Sequence, residues 1–163
     1  MKYRIIDNFL PEEVYKTVNE VMLGNEMDWN FNRGVNRPND GFHQFTHVFY
    51  SNHQPVSRFY SLIEPIVEQI DPAAIVRIKA NMHIQQPEKI QHGFHHDVDN
   101  CITAIYYVNT NNGKTVFENG MEVDSVGNRL FVFDSNEEHT GTTSTDTLQR
   151  CVINFNYFVQ YGL

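Results

Sequence analysis

The sequence predicts a mainly β fold, a sandwich or jelly roll with its N-terminal helices packed on one sheet. Two stretches with helical spacing of apolar residues lie before residue 71, and only strand-like runs follow from residue 74 onward. Aromatic residues make up 13% of the chain, which suits a β-rich interior. Two helices followed by six or more short strands are expected of a layered β fold that carries helices on one side.

The chain opens with a predicted strand and helix. Residues 3–6 (Tyr-Arg-Ile-Ile) are strand-like. Pro11 followed by Glu12 and Glu13 is typical of a helix start, because proline fits the first turn and acidic side chains face the positive end of the helix dipole. The helix is expected to run to about residue 23, with Gly24 as its stop. Its apolar residues at helical spacing are Val14, Val18, Val21 and Met22.

A polar loop, a strand and a second helix are predicted next. Residues 30–41 are rich in Asn, Arg, Gly, Pro and Asp and predict a mobile loop. Residues 45–50 predict a strand, and residues 55–70 predict a helix in which Pro65 introduces a kink. The helix should end before Pro72.

Short strands account for the rest of the chain. A loop at residues 85–94 contains Pro87 and Gly93, and the Asn-rich segment 109–113 is a strong turn signal. The predicted strands cover residues 75–84, 101–108, 115–118, 121–126, 130–133 and 151–158.

Length, charge and cysteine content narrow the class of protein. The 163 residues suit one domain, residues 1–163, that can bury a core. A formal net charge of -8 repels a phosphate backbone, so no nucleic-acid partner is expected. There is no membrane-length apolar stretch and no signal-peptide core. Cys101 and Cys151 lie in apolar runs and are expected as reduced thiols. A cytoplasmic protein is therefore expected, and the sequence predicts no particular oligomeric state.

The most informative motif is His95-x-Asp97, with His139 further along the chain. In extended backbone, residues i and i+2 face the same side, so His95 and Asp97 can reach one ion while His96 points away. Two imidazoles and one carboxylate hold non-haem Fe(II) by one face and leave the other face open. His139 follows a buried-strand run that ends in polar residues, which places it at the mouth of a barrel. Zinc is a chemically compatible alternative.

Arg150 is a candidate for binding a carboxylate. It lies in an apolar strand-like run, where a charged residue needs a partner. A guanidinium binds a carboxylate through two parallel hydrogen bonds. The partner is either the far carboxylate of a 2-oxo acid or one of the 20 acidic residues of the chain, in a structural salt bridge. Together with the metal motif, the arginine favours an iron- and 2-oxoglutarate-dependent oxygenase, because a zinc hydrolase does not need it.

Neighbouring polar residues are candidates for the same carboxylate site. Tyr107 follows Asp97 on the next predicted strand, and its hydroxyl could join Arg150; Tyr106, of opposite parity, is the alternative. Asn154 faces the same side as Arg150 and could add a hydrogen bond. Two further inward-facing candidates are Asn81 and His83.

These residues resemble the prolyl-4-hydroxylase-like branch of the Fe(II)/2-oxoglutarate oxygenases, and the compact length resembles its small bacterial and phage members. The resemblance spans most of the chain. The matching segments are residues 6–11, 95–97, 101–109, 113–117, 127–134, 139–141 and Arg150.

The resemblance implies that this mainly β fold is a double-stranded β-helix. It implies Fe(II) bound by His95, Asp97 and His139, and 2-oxoglutarate anchored by Arg150 with help from Tyr107. The metal ligands and the arginine are then the catalytic set. The implied reaction consumes O2, converts 2-oxoglutarate to succinate and CO2, and hydroxylates a substrate.

Departures from the family pattern bear on substrate and affinity. Asn154 stands where related enzymes often carry Ser or Thr, and Lys114 replaces the second glycine of a Gly-Gly-Thr segment. Asn156 occupies the position of a second arginine in nucleic-acid alkyl-repair enzymes, which argues against that branch. Asp97 argues against a halogenase, whose iron needs that ligand position free.

The expected substrate is a prolyl or other amino-acid side chain, in a free amino acid, a peptide or a protein. The loop at residues 30–41 is predicted either to cover the substrate as a lid or to be a plain surface loop. Two other classes stay open: a cupin-like metal-binding protein or metalloenzyme that does not use 2-oxoglutarate, and a non-catalytic β-sandwich in which His95 serves only stability.

Overall fold

The computed structural model describes residues 3–160. Within that range the chain is mainly β, with two helices and eleven strands. In chain order the elements are β1 (Tyr3–Ile6), α1 (Glu12–Leu23), β2 (Asn30–Asn32), β3 (Gln44–Ser51), β4 (Gln54–Pro55), α2 (Tyr60–Ile70), β5 (Ala74–Ile84), β6 (Ile102–Tyr107), β7 (Lys114–Phe117), β8 (Glu122–Asp124), β9 (Arg129–Asp134), β10 (His139–Gly141) and β11 (Gln149–Phe158).

The strands form two antiparallel sheets. The large sheet has the order β1-β9-β6-β11-β5-β3-β2, with β4 paired to β3. The small sheet has the order β10-β7-β8. The central strand β11 pairs along its length with β5 on one side and with β6 on the other. Its side chains therefore alternate between the two faces of the large sheet, and one of those faces carries the candidate site.

Two hydrophobic clusters fill the two sides of the large sheet. One cluster combines residues of both sheets: Ile105, Tyr107, Phe117, Val123, Phe131, Phe133 and Val152. The other joins the opposite face of the large sheet to buried residues of the helices, among them Val18 and Met22 of α1 and Ile63 and Ile66 of α2. Adjacent residues therefore enter different clusters: Tyr106 belongs to the helix side and Tyr107 to the side between the sheets.

Three details differ from the elements predicted from sequence. The second helix begins at Tyr60 rather than at residue 55, because Gln54–Pro55 pairs with Tyr50–Ser51 across a two-residue turn. Asn52 and His53 both have positive φ, as such a hairpin turn requires. The predicted loop at 30–41 contains an edge strand, Asn30–Asn32, paired with β3. A short strand at His139–Gly141 was not predicted, since its length is set by pairing with β7.

Several of the predicted elements agree with the structure. The first helix begins directly after Pro11 and ends at Gly24, whose backbone N–H donates to the Val21 carbonyl. Pro65 lies inside the second helix. Both cysteines are buried free thiols. Within residues 3–160, neither helix is both long and apolar enough to span a membrane.

Candidate metal centre

The two ligand-type histidines meet through backbone pairing. His95 and His139 form an isolated antiparallel bridge in which each backbone N–H donates to the other's carbonyl, at 3.0 and 2.9 Å. Their ring centroids lie 4.9 Å apart. This bridge explains how a histidine at the start of β10 reaches a histidine in the loop before β6, although the two are far apart in the sequence.

Asp97 completes the cluster. One ligand atom from each of His95, Asp97 and His139 can be chosen so that all lie within 4.8 Å of one another. The His139 Nδ1 atom lies 2.9 Å from the Glu137 carbonyl oxygen, which leaves Nε2 directed at the cluster, 4.0 Å from Asp97 Oδ2. His96 lies on the surface, with its ring nitrogens near Asp99 and Glu138.

Two neutral donors and one cationic donor hold the Asp97 carboxylate. Asn156 Nδ2 and Thr103 Oγ1 each lie 3.2 Å from Oδ2, and Arg77 Nη2 lies 3.4 Å from Oδ1. Arg77 also donates to Asn156 Oδ1. Asn156, Arg77 and Thr103 sit at one level of the sheet, because Asn156 pairs with Arg77 on β5 and with Thr103 on β6.

This arrangement fits the protonation states that a metal needs. Burial alone would raise the pKa of Asp97, but His139, Arg77 and Asn156 outweigh it and hold the pKa below its ordinary value. Burial, assisted by His139, lowers the pKa of His95, which favours the neutral imidazole. A metal binds a carboxylate and neutral imidazoles, and the pKa shifts of Asp97 and His95 are both in the direction that favours these forms.

Arg150 is a buried cation with no carboxylate partner in the described part of the chain. Its exposed fraction is 3%, and it donates to the Ser125 hydroxyl and the Lys114 carbonyl, both at 3.2 Å. Within residues 3–160 it makes no ion pair, so the structural salt bridge allowed by the sequence is absent there. Arg150 lines the same pocket as the metal-type cluster. A buried guanidinium with only neutral partners is suited to an incoming anion.

The two candidate tyrosines lie on opposite sides of the sheet. Tyr107 is buried between the sheets, and its hydroxyl lies 2.7 Å from Thr115 Oγ1. Burial raises the pKa of Tyr107 to about 12, so it is a neutral hydroxyl. Thr115 lines the pocket, and Tyr107 lies behind it. Tyr106 instead donates to Asn128 Oδ1 on the helix side.

The other polar candidates also line the pocket. Asn154, Asn81 and His83 are all in its wall. The side-chain oxygens of Asn154 and Asn81 are buried without a hydrogen-bond partner in the structure. Burial lowers the pKa of His83 to about 3, and Arg150 adds to the shift, so His83 is neutral. Unpaired buried polar atoms are costly, which indicates that this pocket is built to receive a polar ligand.

Sequence reasoning missed several residues of the pocket wall. Lys79 of β5 shares the inward parity of Asn81 and His83, so strand alternation could have identified it. His92 stacks on His83 with ring centroids 4.9 Å apart, and neither of its ring nitrogens has a hydrogen-bond partner among the described residues. No sequence signal marks His92, since it lies in the loop before His95. Thr115, Gln44 and Val35 were also missed.

Solved structures match the chain along nearly its whole length. A prolyl hydroxylase from Trichoplax adhaerens, in complex with a hypoxia inducible factor oxygen degradation domain peptide fragment, gives a TM-score of 0.68 at 18% identity, covering 96% of this chain and 83% of that one. A Pseudomonas putida prolyl-4-hydroxylase gives 0.57 at 14% identity, covering 96% and 92%. HygX from Streptomyces hygroscopicus, with nickel, 2-oxoglutarate and hygromycin B bound, gives 0.59 at 10% identity, covering 98% and 83%.

The sequence itself matches no protein-family model, and a search of curated proteins finds no match. At such low identity the structural likeness is one of fold. The fold of this chain is similar to that of prolyl hydroxylases and other 2-oxoglutarate–Fe(II) oxygenases. The fold resemblance predicted from the sequence is therefore confirmed.

Proposed function

We propose that this protein is an Fe(II)- and 2-oxoglutarate-dependent dioxygenase whose two sheets form a double-stranded β-helix. His95, Asp97 and His139 would hold the iron. Arg150 would bind the far carboxylate of 2-oxoglutarate. When both are bound, the iron and 2-oxoglutarate supply oxidation by O2, with release of succinate and CO2 and hydroxylation of a substrate.

The observation that carries the proposal is the buried Arg150, which has no carboxylate partner among residues 3–160 and lies in the same pocket as the metal-type cluster. A buried guanidinium normally pairs with an acidic residue of the same protein, because an unpaired buried charge is strongly destabilising. Here the neutral partners fix its position and leave its charge for a ligand. A metal site without a co-substrate would have no use for this arrangement.

The surrounding residues would position the co-substrate. Ser125 and the Lys114 carbonyl orient the Arg150 guanidinium. Thr115, with its hydroxyl paired to Tyr107, presents an oxygen to the same pocket. Asn154 offers an unpartnered amide oxygen. We assign Tyr107 and Asn154 to the co-substrate site together with Arg150.

The substrate we propose is a prolyl or other amino-acid side chain, presented in a free amino acid, a peptide or a protein. The solved prolyl hydroxylases of similar fold support this class, one of them in complex with a peptide. The net charge of -8 supports the absence of a nucleic-acid substrate. Two buried free thiols suit a reducing compartment, and we assign the enzyme to the cytoplasm.

The test is anaerobic visible absorption of the purified protein with Fe(II), before and after 2-oxoglutarate is added. We expect a weak metal-to-ligand charge-transfer band that needs both additions and is lost in Asp97→Ala. Arg150→Ala should need a much higher 2-oxoglutarate concentration to give the band. Arg58→Ala, which removes a surface arginine paired with Asp28, is the matched control and should behave like the wild type.

Two results would overturn the proposal in different ways. Tight Fe(II) binding without any absorption band would favour the cupin-like alternative. In that case Arg150→Ala should leave metal-dependent activity intact. Failure to bind Fe(II) at all would leave the non-catalytic β-sandwich.

A further inference from the structure

Lys79 places a second cation in the wall of the candidate pocket. It lies on β5, between β11 and β3, where it pairs with Asn154 on one side and with Val48 on the other. The residue is half-buried, and it lines the pocket together with Asp97 and Arg150. A second cationic side chain therefore contributes to the wall of this pocket.

The Lys79 ammonium has no partner of its own in the part of the chain that the structure describes. No carboxylate there lies within ion-pair distance of it, and it makes no hydrogen bond. Burial and the nearby Arg77 lower its pKa, and Asp97 only partly opposes the shift. Arg77, by contrast, is fully engaged with Asn156 and Asp97.

The pocket has an excess of positive charge, which a second anion would neutralise. Asp97 is the one acidic residue among the described lining residues, whereas Lys79 and Arg150 are both cationic. A divalent metal on Asp97 would add further positive charge. Bound 2-oxoglutarate, a dianion, would compensate only part of it. The pocket of a chain with a net charge of -8 is thus locally cationic, which attracts anionic ligands.

Along the sheet, Lys79 lies nearer to the level of Asp97 than to the level of Arg150. Arg150 pairs with His83, four residues beyond Lys79 on the same strand. At the rise of a β-strand this corresponds to about 13 Å along β5. Lys79 instead lies one strand repeat, about 7 Å, from Arg77 at the level of Asp97. The second cation therefore serves the metal end of the pocket.

We propose that Lys79 binds a carboxylate group of the substrate and so selects a carboxylate-bearing substrate whose oxidised carbon lies near that group. This inference rests on the proposed function and specifies its substrate. A free amino acid supplies such a carboxylate directly, and an acidic side chain in a peptide supplies the same chemistry. Lys79 is then a specificity-determining residue.

The test uses the full chain loaded with Mn(II), which is paramagnetic and does not support turnover, in the presence of saturating 2-oxoglutarate. Relaxation enhancement of probe protons reports their approach to the metal. The decisive pair is acetate against acetamide. A second pair, N-acetylproline against N-acetyl-aspartate methylamide, compares a terminal carboxylate with a side-chain carboxylate. The variants are Lys79→Met and Lys79→Arg, with Lys89→Met as the control, because Lys89 is exposed and outside the pocket.

We expect acetate to be enhanced far more than acetamide in the wild type and in Lys89→Met. In Lys79→Met the affinity for acetate should fall about tenfold or more, and Lys79→Arg should restore it. Calorimetric affinity for 2-oxoglutarate should stay within about twofold of wild type in Lys79→Met. The N-acetylated pair then shows which source of carboxylate the pocket accepts.

Equal enhancement of acetate and acetamide, or acetate binding that survives in Lys79→Met, would overturn the inference. So would a loss of 2-oxoglutarate affinity in Lys79→Met, since that would assign the lysine to the co-substrate. If 2-oxoglutarate does not bind the Mn(II)-loaded wild type at all, the proposed function fails instead, and the acetate comparison without 2-oxoglutarate still decides the role of Lys79.

Discussion

The absence of a side chain at Gly113 leaves room for the Arg150 side chain. A Cβ atom at this position would lie 2.5 Å from Arg150 Cδ and 2.7 Å from Nε. The Gly113 backbone N–H also donates to Asn111 Oδ1. The requirement for glycine is therefore one of close approach between the backbone and the buried arginine side chain.

Gly113→Ala should displace the guanidinium while leaving the metal ligands in place. We expect the affinity for 2-oxoglutarate to fall by about tenfold to a hundredfold, because a displacement of roughly 1 Å is enough to disrupt bidentate binding. Calorimetry with 2-oxoglutarate on the Mn(II)-loaded variant measures this, and Mn(II) affinity serves as the internal control. Unchanged 2-oxoglutarate affinity would show that Arg150 does not contact the co-substrate.

The residues behind Asp97 support a second prediction. Asn156→Ala removes the donor to Asp97 Oδ2 and the acceptor that orients Arg77. Such supporting residues typically contribute 10- to 100-fold to metal affinity, and we expect a loss in that range. Thr103→Val removes only one hydroxyl donor and should cost less. Metal titration checks both variants, and Asn119→Ala on the surface is the control. Equal metal affinity in Asn156→Ala and the control would rule out this role.

Only the site residues that belong to a short sequence pattern could be predicted from the sequence. His95 and Asp97 follow the two-residue repeat of extended backbone, and Arg150 stands out as a charge in an apolar strand. Which residues sit beside them depends on strand register. Asn156 meets Arg77 and Thr103 only because β11 lies between β5 and β6. Strand alternation indicates that Lys79 faces inward, but only the register of β5 with its neighbours brings it to the metal end of the pocket.

At the level of elements, predictions held where periodicity or capping was strong. The first helix has its proline and acidic start and its glycine stop, and the long strands alternate clearly. The hairpin at Asn52 and His53 was missed because neither residue is glycine, although both adopt positive φ. Short strands such as β10 are determined by their partners, so their own sequence does not reveal them.

The segment 33–42, which we call the Asp40 loop, is an internally hydrogen-bonded loop beside the pocket. The Asp40 carboxylate accepts hydrogen bonds from the backbone N–H groups of Val35, Asn36, Arg37 and Phe42. Burial would raise the pKa of Asp40, but these donors outweigh it and lower the pKa to about 2. The Asn36 side chain donates to the Gly93 carbonyl, close to His95. Val35 lines the pocket, so the loop forms part of its edge.

Asp40→Ala should loosen this loop without disturbing the metal site. We expect faster hydrogen exchange at residues 33–42 and a higher KM for the substrate, with uncoupled succinate formation preserved. The stabilisation by Asp40 should be complete above about pH 4 and be lost as the pH falls toward 2, because the folded pKa lies below the unfolded one. Glu88→Ala, an exposed carboxylate in the neighbouring loop, is the control. Loss of Fe(II) or 2-oxoglutarate binding in Asp40→Ala would contradict a lid role.

For the whole molecule, the core and the metal centre are separate sources of stability. Both hydrophobic clusters consist of residues other than His95, Asp97 and His139. The ligand-type residues sit at the ends of strands and in a loop, joined by one backbone bridge. The metal-free protein should therefore be folded and unfold cooperatively, unlike small domains that need metal to fold.

Metal should nevertheless raise the melting temperature, because it binds only the folded chain. At a free Mn(II) concentration of about 100 Kd the linkage is about 2.7 kcal/mol, which for a chain of this size corresponds to a rise of roughly 5–10 °C. Scanning calorimetry with Mn(II), and again after EDTA, measures it. His95→Ala should abolish the rise and His96→Ala should keep it, since His96 faces the surface pair Asp99 and Glu138. The ligand assignment would be refuted if His96→Ala lost the increase in melting temperature or if His95→Ala retained it. Metal stabilises the folded protein only through its ligands, and by this assignment His95 is a ligand and His96 is not.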